Sequence, residues 1–425
     1  MSKQISPDQR AEPGRNTVQL KLGTKSYLSP LFEYYKPLEL LEAMEHAFSI
    51  TLLRDHFYSG WAHVWKDATK DPTNEDYYVK ITSPNPLDDV QGYRDIIPRY
   101  LNAVDCARRA FDRGMALPEI QSDKAVQKAN LRFLPPFGLA MLNARSVLLA
   151  HYPPDETIDY KDYLHSRTTR RWESLLISNG LPGSDTCLLE SIVDVSPITA
   201  DGGSVGSASV KKLTSYIQSK SSAKSKSAGS QKNQERSDLT TYVNEMLSLL
   251  LEQEKPNSKV TQPLVALGAP VREWLLSDEK RKSQIIKQLP TETKPGNVPA
   301  LPIHTVLELE FKEGVVTPVI IVDHPCNYYR GNLSQLAEKI TTTTDKAELE
   351  KLKGQLQKGQ ADQLRKDLIG ARWQVRMSQD PEADPRVILA EVKDYWHPSK
   401  HKAEFEQIAR DQIIQFQNIA NPDQC

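Results

Sequence analysis

Asp323, His324 and Cys326 stand together just after the apolar run Val319-Ile320-Ile321-Val322, and their types are those that nucleophilic chemistry uses. A thiol becomes a nucleophile when an imidazole takes its proton, which requires the two side chains to touch, and residues this close in sequence rarely point at each other. The spacing therefore predicts a structural turn at a strand end. His46, His56 and His63 form a second group, but His56 and His63 lie about two helical turns apart and no cysteine or carboxylate completes a ligand set around them. They are read as satisfied or exposed histidines. Arg167, Arg170 and Arg171 lie beside Trp172, which interleaves phosphate-binding cations with a stacking surface for bases. Trp172, Leu175 and Leu176 also fit the core face of one helix. Lys220, Lys224 and Lys226 fall in a Ser/Lys-rich run whose uncompensated charge would attract a phosphate backbone.

Near the end of the chain, Glu391-Val392-Lys393 closes an apolar stretch that reads as a strand followed by a helix. This resembles the E-x-K half of the PD-(D/E)xK nuclease pattern. The resemblance implies a Mg²⁺ ion held by Asp380 and Glu391, with Lys393 orienting the attacking water. Solvent-facing charges on a strand are the plain alternative. The run Thr317-Pro318-Val319-Ile320-Ile321-Val322 is similar to the buried, proline-entered strand of MazF/PemK-type RNase toxins, which implies a small barrel. Thr317 stands where those toxins usually carry a basic residue, so no catalytic residue is transferred from that family.

The elements that must position these residues follow from hydrophobic period and punctuation. The chain has 425 residues, 39% hydrophobic and 26% charged, enough for two or three cored domains. A net charge of −1 excludes a surface built wholly for nucleic acid, and four scattered cysteines make neither a zinc set nor a disulfide framework. No apolar run reaches the roughly 20 residues of a membrane span, and no phosphate-binding glycine loop, H-E-x-x-H or G-x-S-x-G pattern occurs.

Residues 1–16 read as a disordered tail. Val18, Leu20 and Leu22 alternate into a strand, and a short strand is expected at 77–81. Helical spacing is predicted over 37–48, 51–68, 93–114 and the stretch from Leu139 to Leu148, while 187–198 fits a strand or a buried helix. Composition makes 202–237 a flexible tether. Beyond it come an amphipathic helix over 239–253, a helix over 270–289, and a hairpin of strands at 305–311 and 315–323. A helical hairpin, capped at Asp345 and ended by Gly370, is expected between strands, with further strands at 372–377 and 386–395 and a last helix over 402–419.

The fold class is α+β: a mainly α-helical domain over 17–201, a flexible basic linker over 202–237, and a domain over 238–425 with a small sheet and an inserted helical hairpin. The function expected is that of a cytoplasmic binding or assembly protein with a protein or nucleic-acid partner. It has no evident small-molecule cofactor and no membrane role. The alternative is a Mg²⁺-dependent nuclease using Asp380, Glu391 and Lys393.

Overall fold

The computed structural model describes residues 16–24, 76–83, 103, 106–133, 146–151, 167–180, 190–200, 203–224, 238–251, 262–289, 301–312, 314–325 and 332–419. In chain order the elements begin with β1 (Asn16–Thr24), β2 (Asp76–Ser83), α1 (106–115), α2 (Pro118–Gln121), α3 (Lys124–Lys128) and β3 (Arg132–Phe133). Then come β4 (Ser146–Ala150), α4 (Arg167–Ile177), β5 (Glu190–Asp194), β6 (Ile198–Thr199), α5 (Gly203–Lys224) and α6 (Asp238–Leu251). The remainder is β7 (Leu264–Leu267), α7 (Gly268–Leu275), α8 (Glu279–Gln288), β8 (Val306–Lys312), β9 (Val315–Val322), α9 (Asn332–Thr342), α10 (Lys346–Gln379), α11 (Pro385–Tyr395) and α12 (Lys402–Ile419). Helices combined with a small mixed sheet make the class α+β. The histidines 46, 56 and 63, the helices expected over 37–68, and Cys326 lie outside the described residues.

The chain divides into two compact units: Met1–Asn143 with Ser196–Leu250, and Ala144–Val195 with Leu251–Cys425. The division does not fall on the Ser/Lys-rich run. That run opens as α5, in the first unit, because Val210 and Leu213 recur at helical spacing and are fully buried. Small residues let α5 approach closely: a Cβ on Gly114 of α1 would stand 2.8 Å from Ile217. Lys212 of α5 also pairs with Asp123, whose carboxylate caps α3 by accepting from Ala125 N–H at 2.9 Å. Residues 225–237, with Lys226, are outside the described residues. β1 and β2 pair antiparallel, with Val18 opposite Ile81 and Leu20 opposite Val79, as their alternation predicts.

The second unit is built on a sheet of order β5-β4-β7-β9-β8, parallel except for the edge strand β8. β4 corrects the expected helix around Val147 and Leu148, and β7 was not expected as a strand. Both are short apolar runs buried on two faces, a pattern without a period-2 signal. One face of the sheet, with Leu148, Ala150, Val265, Leu267, Ile320 and Val322, packs under α4, α10, α11 and α12. The alternating face carries Val147, Leu149, Leu264, Ala266, Val319 and Ile321, all buried, and α7 packs across β4, β7 and β9. β9 therefore belongs to an open sheet rather than a small barrel.

The strands expected at 372–377 and 386–395 are helices. The first lies in the 34-residue α10, where Leu364, Leu368, Ala371 and Val375 follow helical spacing; the second is α11, capped by Asp384 with Pro385 at its first position. The hairpin α9–α10 thus follows the last strand of the sheet and is not inserted between strands. Gly370 does not end α10. It sits mid-helix, where a Cβ would lie 2.6 Å from Val322 Cγ1 and 3.3 Å from Trp172 Cη2. Glycine there lets α10 pack directly on the end of β9.

A candidate functional site at the carboxyl edge of the parallel sheet

The next described element after β4, α4, packs on one face of the sheet, whereas its neighbour β7 leads directly into α7 on the other. A crevice opens where adjacent parallel strands send the chain to opposite faces, and such switch points are where open α/β sheets receive ligands. Three features meet at this margin. Gly268, leaving β7 with φ +81°, allows close approach, since a Cβ there would stand 3.2 Å from the Cβ of His324. Asp323 and His324 follow β9 directly. His304 enters β8 at φ 59°, and its N–H donates to Ile321 O at 2.7 Å.

α10 and α11 add charges to this margin. The ring Nε2 of His304 lies 2.9 Å from Lys366 O. Burial lowers the pKa of His304; the hydrogen bond to the Lys366 carbonyl opposes this, the Lys393 charge reinforces it, Asp323 opposes it and the Lys366 charge adds to it. The imidazole is thus held toward its neutral form with two lysines around it. One residue on from Lys366, Asp367 is buried and its pKa is pushed up to about 7. Burial is the largest cause. Arg171 of α4 at 3.7 Å and the Gln363 amide at 2.9 Å act against it, and the like charge of Asp323 supports it. Indole hydrogen bonds fix the helices that carry these groups: Trp172 to Gln374 Oε1 at 2.7 Å, Trp396 to Asn179 Oδ1 at 3.2 Å, and Trp373 to Pro385 O at 2.9 Å.

The residues expected to do chemistry are dispersed. Arg171, expected to contact phosphate, is buried against Asp367. Arg167 and Arg170 lie on α4 and Lys220 and Lys224 on α5, with side chains outside the described residues. Asp380 is the C-terminal cap of α10, donating its N–H to Arg376 O at 3.0 Å. Glu391 and Lys393 lie on α11 rather than on the strand that the PD-(D/E)xK pattern requires, and Glu391 pairs with Arg376 at 3.4 Å. Among the described residues no group of three His, Cys, Asp or Glu side chains is arranged to hold a metal ion. Lys393 joins the carboxyl-edge group through its charge on His304, and Arg171 through Asp367.

Sequence reading missed His304, Lys366 and Asp367. The available signal was Asp323-His324 at a strand end, together with the Gly268-Ala269-Pro270 exit from the short run Leu264–Leu267. What the cluster can offer an anion is the charge of two lysines; the N–H of a neutral His304 is given to Lys366 O. No helix among the described residues is long and apolar enough to cross a membrane. The chain matches no protein-family model, and no curated protein matches it.

Proposed function

We propose that the chain is a macromolecular binding protein and that nucleic acid meets its second unit at the carboxyl edge of the parallel sheet. The reading rests on His304, bonded through Nε2 to Lys366 O at 2.9 Å at the margin where the chain leaves β7 and β9, with the Lys393 and Lys366 charges both helping to lower its pKa after burial. Lysines satisfy phosphates as point charges, and the second ring nitrogen of a neutral His304 can accept from a base edge. α5 of the first unit carries Lys211, Lys220 and Lys224 with no acidic residue in its own sequence, while Lys212 is paired with Asp123. The test is fluorescence anisotropy with labelled single-stranded and duplex DNA and RNA of about 20 nucleotides, titrated at several salt concentrations. Lys366→Gln with Lys393→Gln should weaken binding about tenfold or more and reduce the salt slope by about two phosphate contacts. Absence of binding, or a double variant indistinguishable from wild type, would sink the proposal; a Mg²⁺ arm read on a gel reports cleavage separately.

A further inference from the structure

Tyr395 closes α11, and both faces of its ring are covered. The guanidinium of Arg372, on α10, lies 3.5 Å from the ring centre, and the imidazole of His401 lies 3.8 Å from it with 19° between the two planes. Two groups this near one ring centre must occupy opposite faces. Trp396 stands at 83° to the phenol with its centre 5.0 Å away, and the Tyr395 hydroxyl donates to Glu404 Oε2 at 2.7 Å. The ring is thus fixed by α10, by its own neighbour and by α12, without counting His401.

His401 is held more lightly. Its side chain is 42% exposed, and beyond the stack its Nδ1 lies 3.3 Å from Glu404 Oε2, an oxygen that the Tyr395 hydroxyl already uses. The backbone does not depend on where the imidazole lies: at φ 48°, His401 accepts from Phe405 N–H at 2.9 Å through its carbonyl and starts α12 whichever way the side chain turns. Rotation about the side-chain torsion therefore uncovers one face of a phenol that is already set in place. What the imidazole fills is the space that a nucleobase takes on an aromatic side chain, a flat nitrogen-bearing ring nearly parallel to it and in van der Waals contact.

We infer, on the nucleic-acid reading above, that Tyr395 is the stacking platform for an unpaired base and His401 its displaceable cover, so that the ligand of the second unit is single-stranded. A base presents a larger face than an imidazole, and the exchange of one for the other gains stacking area, while Arg372 and Glu404 keep the phenol from turning with the ring that leaves. The lysines lie on the same two helices. Lys393 precedes Tyr395 by two residues on α11, and Lys366 precedes Arg372 by six on α10, about 9 Å along the axis.

The test compares, by fluorescence anisotropy on the full chain, labelled single strands and duplexes of the same sequence. Tyr395→Leu should weaken single-strand binding about tenfold and leave duplex affinity unchanged, since a paired base cannot leave its stack to reach the ring. His401→Asn, a residue that accepts the same positive φ, should tighten single-strand binding about threefold, because no side chain competes for the platform. An exposed position decides the matter even where Tyr395→Leu fails to fold. Tyr395→Leu binding single strands as wild type does, a loss shared equally by the duplex, or His401→Asn binding no tighter than wild type would each overturn the inference. If Lys366→Gln with Lys393→Gln abolishes binding while both aromatic variants behave as wild type, the platform alone falls; if the wild-type chain binds no nucleic acid, both readings fall together.

Discussion

Two arginine–carboxylate pairs involve α10, and they make opposite use of the same chemistry. At the carboxyl edge Asp367 of α10 meets Arg171 of α4 at 3.7 Å, with side chains 1% and 3% exposed; farther along the helix Arg376 meets Glu391 of α11 at 3.4 Å, with side chains 45% and 54% exposed. Distance alone would rank the second pair as stronger. Solvent decides otherwise, because water screens the exposed pair whereas the buried one is in a low-dielectric setting where each charge depends on what surrounds it. The buried carboxyl is pushed up to about 7 even with a guanidinium beside it, since burial outweighs a contact this long. The longer contact inside is therefore the one whose loss of a partner is felt more.

The largest effect expected is from breaking the buried pair. Arg171→Met keeps much of the apolar stem but leaves Asp367 facing only Gln363, and loss of one partner of a buried pair costs about 3–5 kcal/mol. Asp367 limits the loss by staying protonated, so the destabilisation should be greatest above pH 7 and smaller near pH 5. Urea unfolding at the two pH values reads this directly. Equal losses at both would show that the variant merely disturbs packing around Trp172.

Next in size is a pH dependence with a definite sign. In the folded chain Asp367 holds its proton up to about pH 7, whereas the unfolded chain releases it around the ordinary value of 3.8. Between those values the folded state carries a proton that the unfolded state has lost. The stability from this group is thus fully present below 3.8 and is lost as pH rises through about 7. One such group contributes a slope of at most about 1.4 kcal/mol per pH unit. Asp367→Asn should remove that component, so the difference in unfolding free energy between variant and wild type should change steadily across pH 4–7. A difference independent of pH would mean that the carboxyl is ionised in the fold.

How far the sequence revealed these regions depended on what each element faces. β1, β2, the β8–β9 hairpin and α6 were legible, because each shows a clear period or a clear turn. α10 was not. Trp373, Val375 and Met377 alternate like a strand, and all three are buried, but so are Ala371 and Gln374: the helix is enclosed on most sides and loses its 3.6-residue stripe. β4 and β7 failed for the matching reason, as four apolar residues buried on both faces carry no alternation. α5 was obscured by serine, glycine and lysine around a buried face of only a few apolar side chains. Of the candidate site, Asp323 and His324 were visible because they end a strand in sequence. Lys366 and Asp367 reach the same margin only by tertiary packing of a helix through Gly370 onto Val322.

The smallest effect expected is at the exposed pair, and it bears on the comparison from the other side. Glu391 was expected as a metal ligand on a strand; on α11 it is a half-exposed helix residue reaching Arg376 one helix away. Neither charge is desolvated, both side chains lose rotamer freedom to meet, and exposed pairs of this kind contribute about 0.2–1 kcal/mol. Glu391→Gln retains the stem and one acceptor oxygen, so it should cost about 0.5 kcal/mol or less, and Arg376→Gln about the same. The coupling between them in a double-mutant cycle should fall toward zero in roughly 1 M salt, where the Debye length is about 3 Å. By contrast, a cycle on Arg171 and Asp367 should give a coupling that the same salt leaves nearly unchanged, since no ions reach the pair. If the exposed coupling proved larger than the buried one, or insensitive to salt, then burial would not be what separates the two pairs, and the geometry of the Arg376–Glu391 contact would have to carry the difference.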